Sequence, residues 1–357
     1  MLAVAMRVAA AVVLAASFCN AQQPDPESIF NQALSAQQHG DIEAAIAGYQ
    51  RVLKIAPNLV PARANLAAAQ MQVGRTAEAL DNYRAALRAA PGDTQITLLY
   101  SNALFELSRY SDARDVLSPF ANSHRENLDA AFLLGETLIR LQRAREGVKL
   151  VDGVAKARND ANAYLLSALT HLQLTDYKEA KTSADEAARL DPANAAAWTL
   201  SGMANAATGD LKKAEAAYRR ALVLNASDFD ANLRLGTLLL RMDQNPEGAK
   251  PYLERALHID PSSLSARFEV ANLQAALKDD PAAIANFEQV VARKPDATDA
   301  HVQLSTLYMR AKRREDAKRE REIVDRLMAT ERDSATRRQT KNPEDELAIF
   351  SSATPSR

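Results

Sequence analysis

Cysteine is nearly missing from this chain: Cys19 is the only one in 357 residues. One thiol cannot form an internal disulfide or supply a cysteine–zinc site, which needs several sulfurs. If the chain is cut after Ala21, as argued below, a thiol nucleophile is excluded as well. Glycine is scarce at 11 residues, and aromatic residues make up only 5%. No Gly-rich loop follows a strand to cradle phosphate. A charge excess is missing too, since 44 basic and 45 acidic residues leave a formal net charge of −1. Nucleic-acid binding normally needs a basic excess to displace phosphate counterions, so that partner class is excluded. The apolar run Val8–Phe18 is too short to span a bilayer comfortably.

What is present is alanine and leucine in almost every stretch, with 47% hydrophobic and 25% charged residues overall. That is ample apolar material for a folded protein. Strong helix formers without bulky aromatics suit an all-α protein whose helices approach closely. At the N-terminus, Arg7, the run Val8–Phe18 and the small-x-small pattern Cys19-Asn20-Ala21 read as an export signal. Residues 1–21 are then a signal peptide, the mature chain starts at about Gln22, and its location is periplasmic or secreted. A buried N-terminal helix and an uncleaved anchor are the competing readings. Acylation of Cys19 would make an outer-membrane lipoprotein, but bulky Phe18 stands where a lipid-attachment signal wants a small residue.

A phrase recurs along the rest of the chain. Gly40, Ala45, Tyr49, Val52 and Pro57 return as Gly74, Ala79, Tyr83, Ala86 and Pro91, shifted by 34 in every column. Later copies include Gly209, Ala214, Tyr218 and Ala221, and Ala283, Phe287, Val290 and Pro295. The units run 26–59, 60–93, 94–127, 128–160, 161–194, 195–228, 229–263, 264–297 and 298–331; the fourth is one residue short and the seventh one long. Leucines and aromatics between the markers follow the helical period. Two columns hold only small residues. Ala33, Ser101, Gly135 and Gly202 belong to one, and Ala45, Ala113, Gly147 and Ala214 to the other. Facing each other, they let two antiparallel helices pack backbone to backbone, and a larger residue there would overpack. Gly40, Gly74, Thr175 and Gly209 stop the first helix, and prolines such as Pro57 and Pro295 stop the second. One hairpin cannot bury its own apolar face, so neighbours must stack.

This pattern resembles the tetratricopeptide repeat, best in Trp198 to Gly202 through Ala221, and the resemblance covers nearly all of the mature chain. It implies a right-handed superhelical solenoid of antiparallel helix hairpins, all-α, with first helices on the concave wall. It also implies a protein or peptide partner held in the groove, no cofactor and no enzymatic activity. Transferred by column, the candidate groove residues are Asn31, Asn65, Asn102, Phe105, Phe132, Glu136, Arg234, Asn272 and Arg310. Asparagine both donates and accepts, which suits the backbone of an extended peptide, and Phe105 and Phe132 would be apolar anchors. The family's carboxylate clamp for chaperone tails is not matched: of Phe30, Leu34, Asn65, Gln95 and Leu99 at those columns, only Asn65 fits.

Units 94–127 and 128–160 lack both punctuation marks, with Ser108, Arg125, Gln142 and Asn159 in their places, and Phe120 fills a column of small residues. Ordinary divergence or a change of curvature would each account for this. Pro251, near the start of a second helix, is expected to bend it slightly at most. The last unit is densely charged over Arg310–Asp333, as the solvent-facing cap of a solenoid should be. Its interspersed acids favour ion pairs on an exposed helix over a polyanion site. From about Ser334 the polar chain reads as a disordered tail, with Glu346 to Phe350 as its only apolar cluster. The five histidines sit at unrelated columns, and paired carboxylates such as Asp279-Asp280 read as solvated turns, so no catalytic or metal cluster is expected. The functions in play are therefore a peptide-binding scaffold in an envelope complex, an outer-membrane assembly lipoprotein, or an accessory to a polysaccharide-handling or secretion enzyme.

Overall fold

The computed structural model describes residues 25–340, apart from residue 243. The export signal, Cys19 and the cluster Glu346 to Phe350 lie outside the described residues. Among these there are eighteen α-helices and no strand. First helices are α1 (Pro26–Gln38), α3 (Val60–Gln72), α5 (Thr94–Glu106), α7 (Leu128–Arg140), α9 (Ala161–Gln173), α11 (Ala195–Ala207), α13 (Phe229–Arg241), α15 (Leu264–Ala276) and α17 (Thr298–Arg310). Their second helices are α2 (Ile42–Ile55), α4 (Thr76–Ala89), α6 (Tyr110–Ser123), α8 (Ala144–Arg158), α10 (Tyr177–Leu190), α12 (Leu211–Leu224), α14 (Pro246–Ile259), α16 (Asp280–Arg293) and α18 (Arg314–Thr340). The chain divides into two compact units, one ending at Gly147 and the other beginning at Val148. In each, every hairpin stacks on the next, and first helices also touch first helices, as α1 touches α3 and α13 touches α15. That is the helical-solenoid arrangement expected from the repeat.

The helices begin where acceptor side chains meet free backbone donors. Asp25, Asp93, Asn127, Asp160, Asn194, Asp228 and Ser263 each accept from a backbone N–H in the first turn of a first helix. Such caps are worth about 1 kcal/mol each.

The first helices, α13 apart, end in one backbone motif. At Gly40 (φ 83°) the Gly40 N–H donates to Gln37 and the Asp41 N–H to Ala36, so two orphan carbonyls are satisfied. The same pair of bonds closes α5 at Ser108 (φ 58°), α7 at Gln142 (φ 62°), α9 at Thr175 (φ 61°), α15 at Lys278 (φ 66°) and α17 at Lys312 (φ 62°). That Ser108 and Gln142 stand in place of glycine in units 94–127 and 128–160 therefore leaves this turn unchanged. It has a cost, because a residue with a Cβ pays roughly 1 kcal/mol or more in the left-handed region. Thr175→Gly is expected to stabilise the protein by about 1 kcal/mol, β-branched threonine being the most crowded of the five there. Urea unfolding followed by circular dichroism would check it.

The small columns meet inside the hairpins. Ala45, Ala79, Ala113, Ala214 and Ala283 are completely buried. A Cβ added to Gly202 would lie 2.4 Å from the Tyr218 ring, and one on Gly236 would lie 2.6 Å from Leu253. The space denied to these glycines is filled by the large side chain opposite. Tyr218 is 1% exposed, and Tyr49, Leu253 and Phe287 are fully buried. Phe120 is accommodated as well, 6% exposed and stacked on His124 with ring centroids 4.2 Å apart.

A second recurring bond ties five of the hairpins to the turn before them. The fourth residue of a first helix donates to a carbonyl six residues back: Arg63 to Pro57 at 2.8 Å, Trp198 to Pro192 at 3.0 Å, and Arg267 to Pro261 at 2.8 Å. Asn232 does the same to Ala226, and His301 Nε2 to Pro295, each at 3.0 Å. Arginine, tryptophan, asparagine and histidine share one role here, since each carries an N–H at suitable reach.

Local departures are confined. The extra residue of unit 229–263 falls in the turn from α13 to α14, where the Asn245 N–H reaches back to Leu239 and Gln244 has a φ of 48°. Helices α6 and α14 continue through Pro119 and Pro251. Helix α18 runs on to Thr340. The polar tail therefore does not start at Ser334: Ala335, Arg337, Arg338 and Gln339 are polar or small yet good helix formers, and they extend the charged helix before them.

Candidate groove on the first helices

Three adjoining cavities open along α13, α15 and α17. The first, about 530 Å³, lies between α11, α13 and α15 and is lined by Leu233, Arg234, Thr237, Arg241 and Glu269 among others. The second, about 620 Å³, sits among the N-terminal ends of α15 and α17, the end of α16, and Met328 and Glu331 of α18. The third, about 440 Å³, lies between α13, α15 and α17 and contains Asn272, Asp299 and Gln303. They are continuous, since Arg241 and Glu269 each line two of them, as do Ser265, Phe268 and Asp299.

Helical spacing explains the lining. Asp230, Arg234, Thr237 and Arg241 fall at steps of three or four along one face of α13. Ser265, Glu269, Asn272 and Ala276 take the matching places on α15. The floor is apolar, with Leu233 on α13, Phe268 on α15 and Val302 on α17 in one column.

An ion pair crosses the groove. Arg241 Nη2 lies 2.6 Å from Glu269 Oε1, and the two side chains are 52% and 12% exposed. Asn272 Nδ2 donates to the other Glu269 oxygen at 3.2 Å. Glu269 is thus the fixed member and Arg241 the movable one. No group that could hold a metal ion is found among the described residues. A cleft of apolar floor and a few fixed charges is equipped to bind.

The residues expected at the groove are spread over both units. Arg234 lines the first cavity, 3.9 Å from Asp230, and Asn272 lines the third. Arg310 lies on the same helix as Val302 but is engaged by Asp280 of α16 at 2.6 Å. In the other unit Asn31 and Asn102 are exposed, while Asn65 is half-buried near Tyr49, whose hydroxyl donates to Gln37 at 2.8 Å. Phe105 is held edge-on by Tyr110 at 5.1 Å, with the Arg140 guanidinium 6.0 Å from its ring. Phe132 is half-buried. Burial pushes the Glu136 carboxyl above the usual carboxylate range, and Arg140 one turn on pulls it partly back. Asp230, Arg241, Glu269 and Asp299 escaped the sequence reading. Glu269 shares the column of Arg234 and Arg241 that of Arg310, so carrying those columns across the units would have found both, whereas Asp230 and Asp299 share a column of their own one turn before that of Arg234.

Fold and groove together define a helical-repeat binding protein. Family models described as tetratricopeptide repeat match residues 30–94, 165–231 and 233–298, and a second such model matches 70–124. The chain belongs to the tetratricopeptide-repeat family. Repeats of this family generally hold other proteins and generally do not catalyse reactions.

Curated relatives are distant. The chain is 27% identical over 152 residues to Anaphase-promoting complex subunit 3 of Schizosaccharomyces pombe, covering 43% of this chain and 23% of that protein. It is 23% identical over 288 residues to Protein O-mannosyl-transferase TMTC3 of Homo sapiens, covering 74% of this chain and 31% of that one. The match thus spans under a third of the length of either relative. Among solved structures, Pseudomonas aeruginosa pilF is 20% identical with a TM-score of 0.49, covering 58% of this chain and 94% of that one. YrrB, described as a TPR protein with an unusual peptide-binding site, is 24% identical with a TM-score of 0.43, covering 49% and 90%.

Proposed function

We propose that the protein is a non-enzymatic scaffold of an extracytoplasmic complex that holds an extended segment of a partner protein against α13, α15 and α17. The observation that carries this reading is the continuous cleft on three successive first helices, with matching columns turned into it. The extracytoplasmic setting rests on the N-terminal sequence, and no helix among the described residues is long and apolar enough to cross a membrane.

The test plugs the groove. Thr237 lines the first cavity half-buried, so Thr237→Arg would fill it, whereas Val223 on α12 is 75% exposed and outside it. Affinity capture from envelope extracts is expected to recover partners with the wild type and with Val223→Arg, and to lose them with Thr237→Arg. Equal recovery with all three would remove the groove from the function. Intact mass of the exported chain is expected to start at Gln22, and an acylated Cys19 would replace the scaffold reading with the lipoprotein one.

A further inference from the structure

The cavity among α15, α16, α17 and α18 has a charge unlike that of the chain as a whole. Four carboxylates line it, Glu269, Asp296, Asp299 and Glu331; Arg241 already pairs with Glu269 and Glu331 has a partner of its own, so exposed Asp296 and Asp299 set its charge against Lys294. Beneath them the surface is apolar: Leu264, Phe268, Val290 and Met328. Phe268 is held in place from behind by the Phe287 ring, edge-on at 5.4 Å.

Part of this acidity has a local purpose. Ala297 gives α17 no side-chain cap, and Asp299 in the first turn offsets the positive end of that helix. That role accounts for Asp299 alone. It leaves unexplained why exposed Asp296 stands beside Asp299 at the same void, and why an aromatic face forms its floor. The end of α16, with Val290 and Lys294 at the cavity, adds the partial negative charge of its last carbonyls.

Building on the scaffold reading, we infer that this cavity receives an arginine- or lysine-bearing apolar segment of the partner, and that this site gives the groove its preference. The occupant follows from charge and shape. A basic side chain lays its methylene stem on apolar surface while its cation stays at a charged rim, and a cation over the Phe268 ring is favourable in itself. An acidic segment would meet Asp296 and Asp299 as like charges. Continuity with the other two cavities lets the rest of the segment run over Phe268 and Val302 towards α13.

Fluorescence anisotropy with three fluorescein-labelled peptides tests this on the full mature chain at low salt. The basic probe is Ala-Arg-Leu-Arg-Ala-Leu-Ala, and glutamate or glutamine replaces both arginines in the other two. The basic peptide is expected to bind about tenfold or more tightly than either, with the advantage shrinking as salt rises. Asp296→Asn/Asp299→Asn is expected to erase that advantage, and Lys294→Glu to enlarge it. Thermal unfolding confirms that the variants fold, and because both alter exposed side chains they answer the question in opposite directions.

Equal binding of all three peptides, abolished by Thr237→Arg, would overturn the basic preference and leave the scaffold reading standing. Preferential binding of the acidic peptide would overturn it as well. Binding of none, together with partner capture that survives Thr237→Arg, would remove both.

Discussion

Replacing Gly147 with alanine is expected to cost about 3 kcal/mol, the upper end of ordinary overpacking. The added Cβ would lie 2.4 Å from the Gly135 carbonyl oxygen and 2.8 Å from Ile139 Cγ1. Ile139 can turn aside, but the Gly135 oxygen belongs to the backbone of α7, so the two helices must separate. Six residues further along the same helix, Gly153 is exposed, and a Cβ there would meet nothing within 4 Å. Gly153→Ala should therefore stabilise α8 by about 0.5–1 kcal/mol through backbone entropy alone. The pair makes a controlled comparison of the same substitution in the same helix with opposite signs. Amide hydrogen exchange over α7 and α8 is the appropriate measurement, because unfolding of a repeat array is not reliably two-state. Equal effects at the two glycines would mean that close approach of α7 and α8 is not what Gly147 provides.

The second large effect is expected at Phe287. Its ring is fully buried and forms the wall on which Phe268 rests. Phe287→Ala should destabilise the protein by about 3–5 kcal/mol through lost burial and the cavity left behind. Function should suffer with it, because Phe268 is the floor shared by two of the three cavities. Phe287→Leu keeps much of the volume and should restore most of the stability while leaving Phe268 less firmly placed. Urea unfolding and peptide binding measured on both variants would separate the two consequences. If the leucine variant bound as the wild type does, the support given by Phe287 would be structural only.

Much of the fold was legible because one small backbone repertoire is copied along the chain. The 34-residue period exposes the columns, and columns of alanine and glycine have one sensible use, the close packing of antiparallel helices. The turn at the end of a first helix was legible where glycine marks it, at Gly40, Gly74 and Gly209, and by column at Thr175. Ser108, Gln142, Thr175, Lys278 and Lys312 adopt the same positive φ with no common chemistry. The surrounding hairpin dictates the conformation there, and the side chain merely tolerates it. The ties from Arg63, Trp198, Asn232, Arg267 and His301 were hidden for a related reason: one hydrogen bond is served by four kinds of donor.

The groove was half legible. Arg234 and Asn272 face it because column position fixes direction on a helix. Arg310 follows the same rule in direction, yet Asp280 engages it, and no spacing rule reports what an arginine finds across an interhelical gap. Glu269 illustrates the converse. An acidic residue at a surface column looks like solvated charge until its partner on the neighbouring helix, Arg241, is seen.

One feature of the stacking bears on how the protein would answer to force. Substantial contacts among the described helices join elements one or two places apart along the chain. Within each unit no substantial contact among the described helices links distant segments, so tension on a unit's ends would strip hairpins one after another, beginning where a neighbour is missing. Each step ruptures one interface and lengthens the chain by one unit. A partner segment lying across α13, α15 and α17 would be a strap over three consecutive hairpins, and would convert their separate failures into a single stronger one.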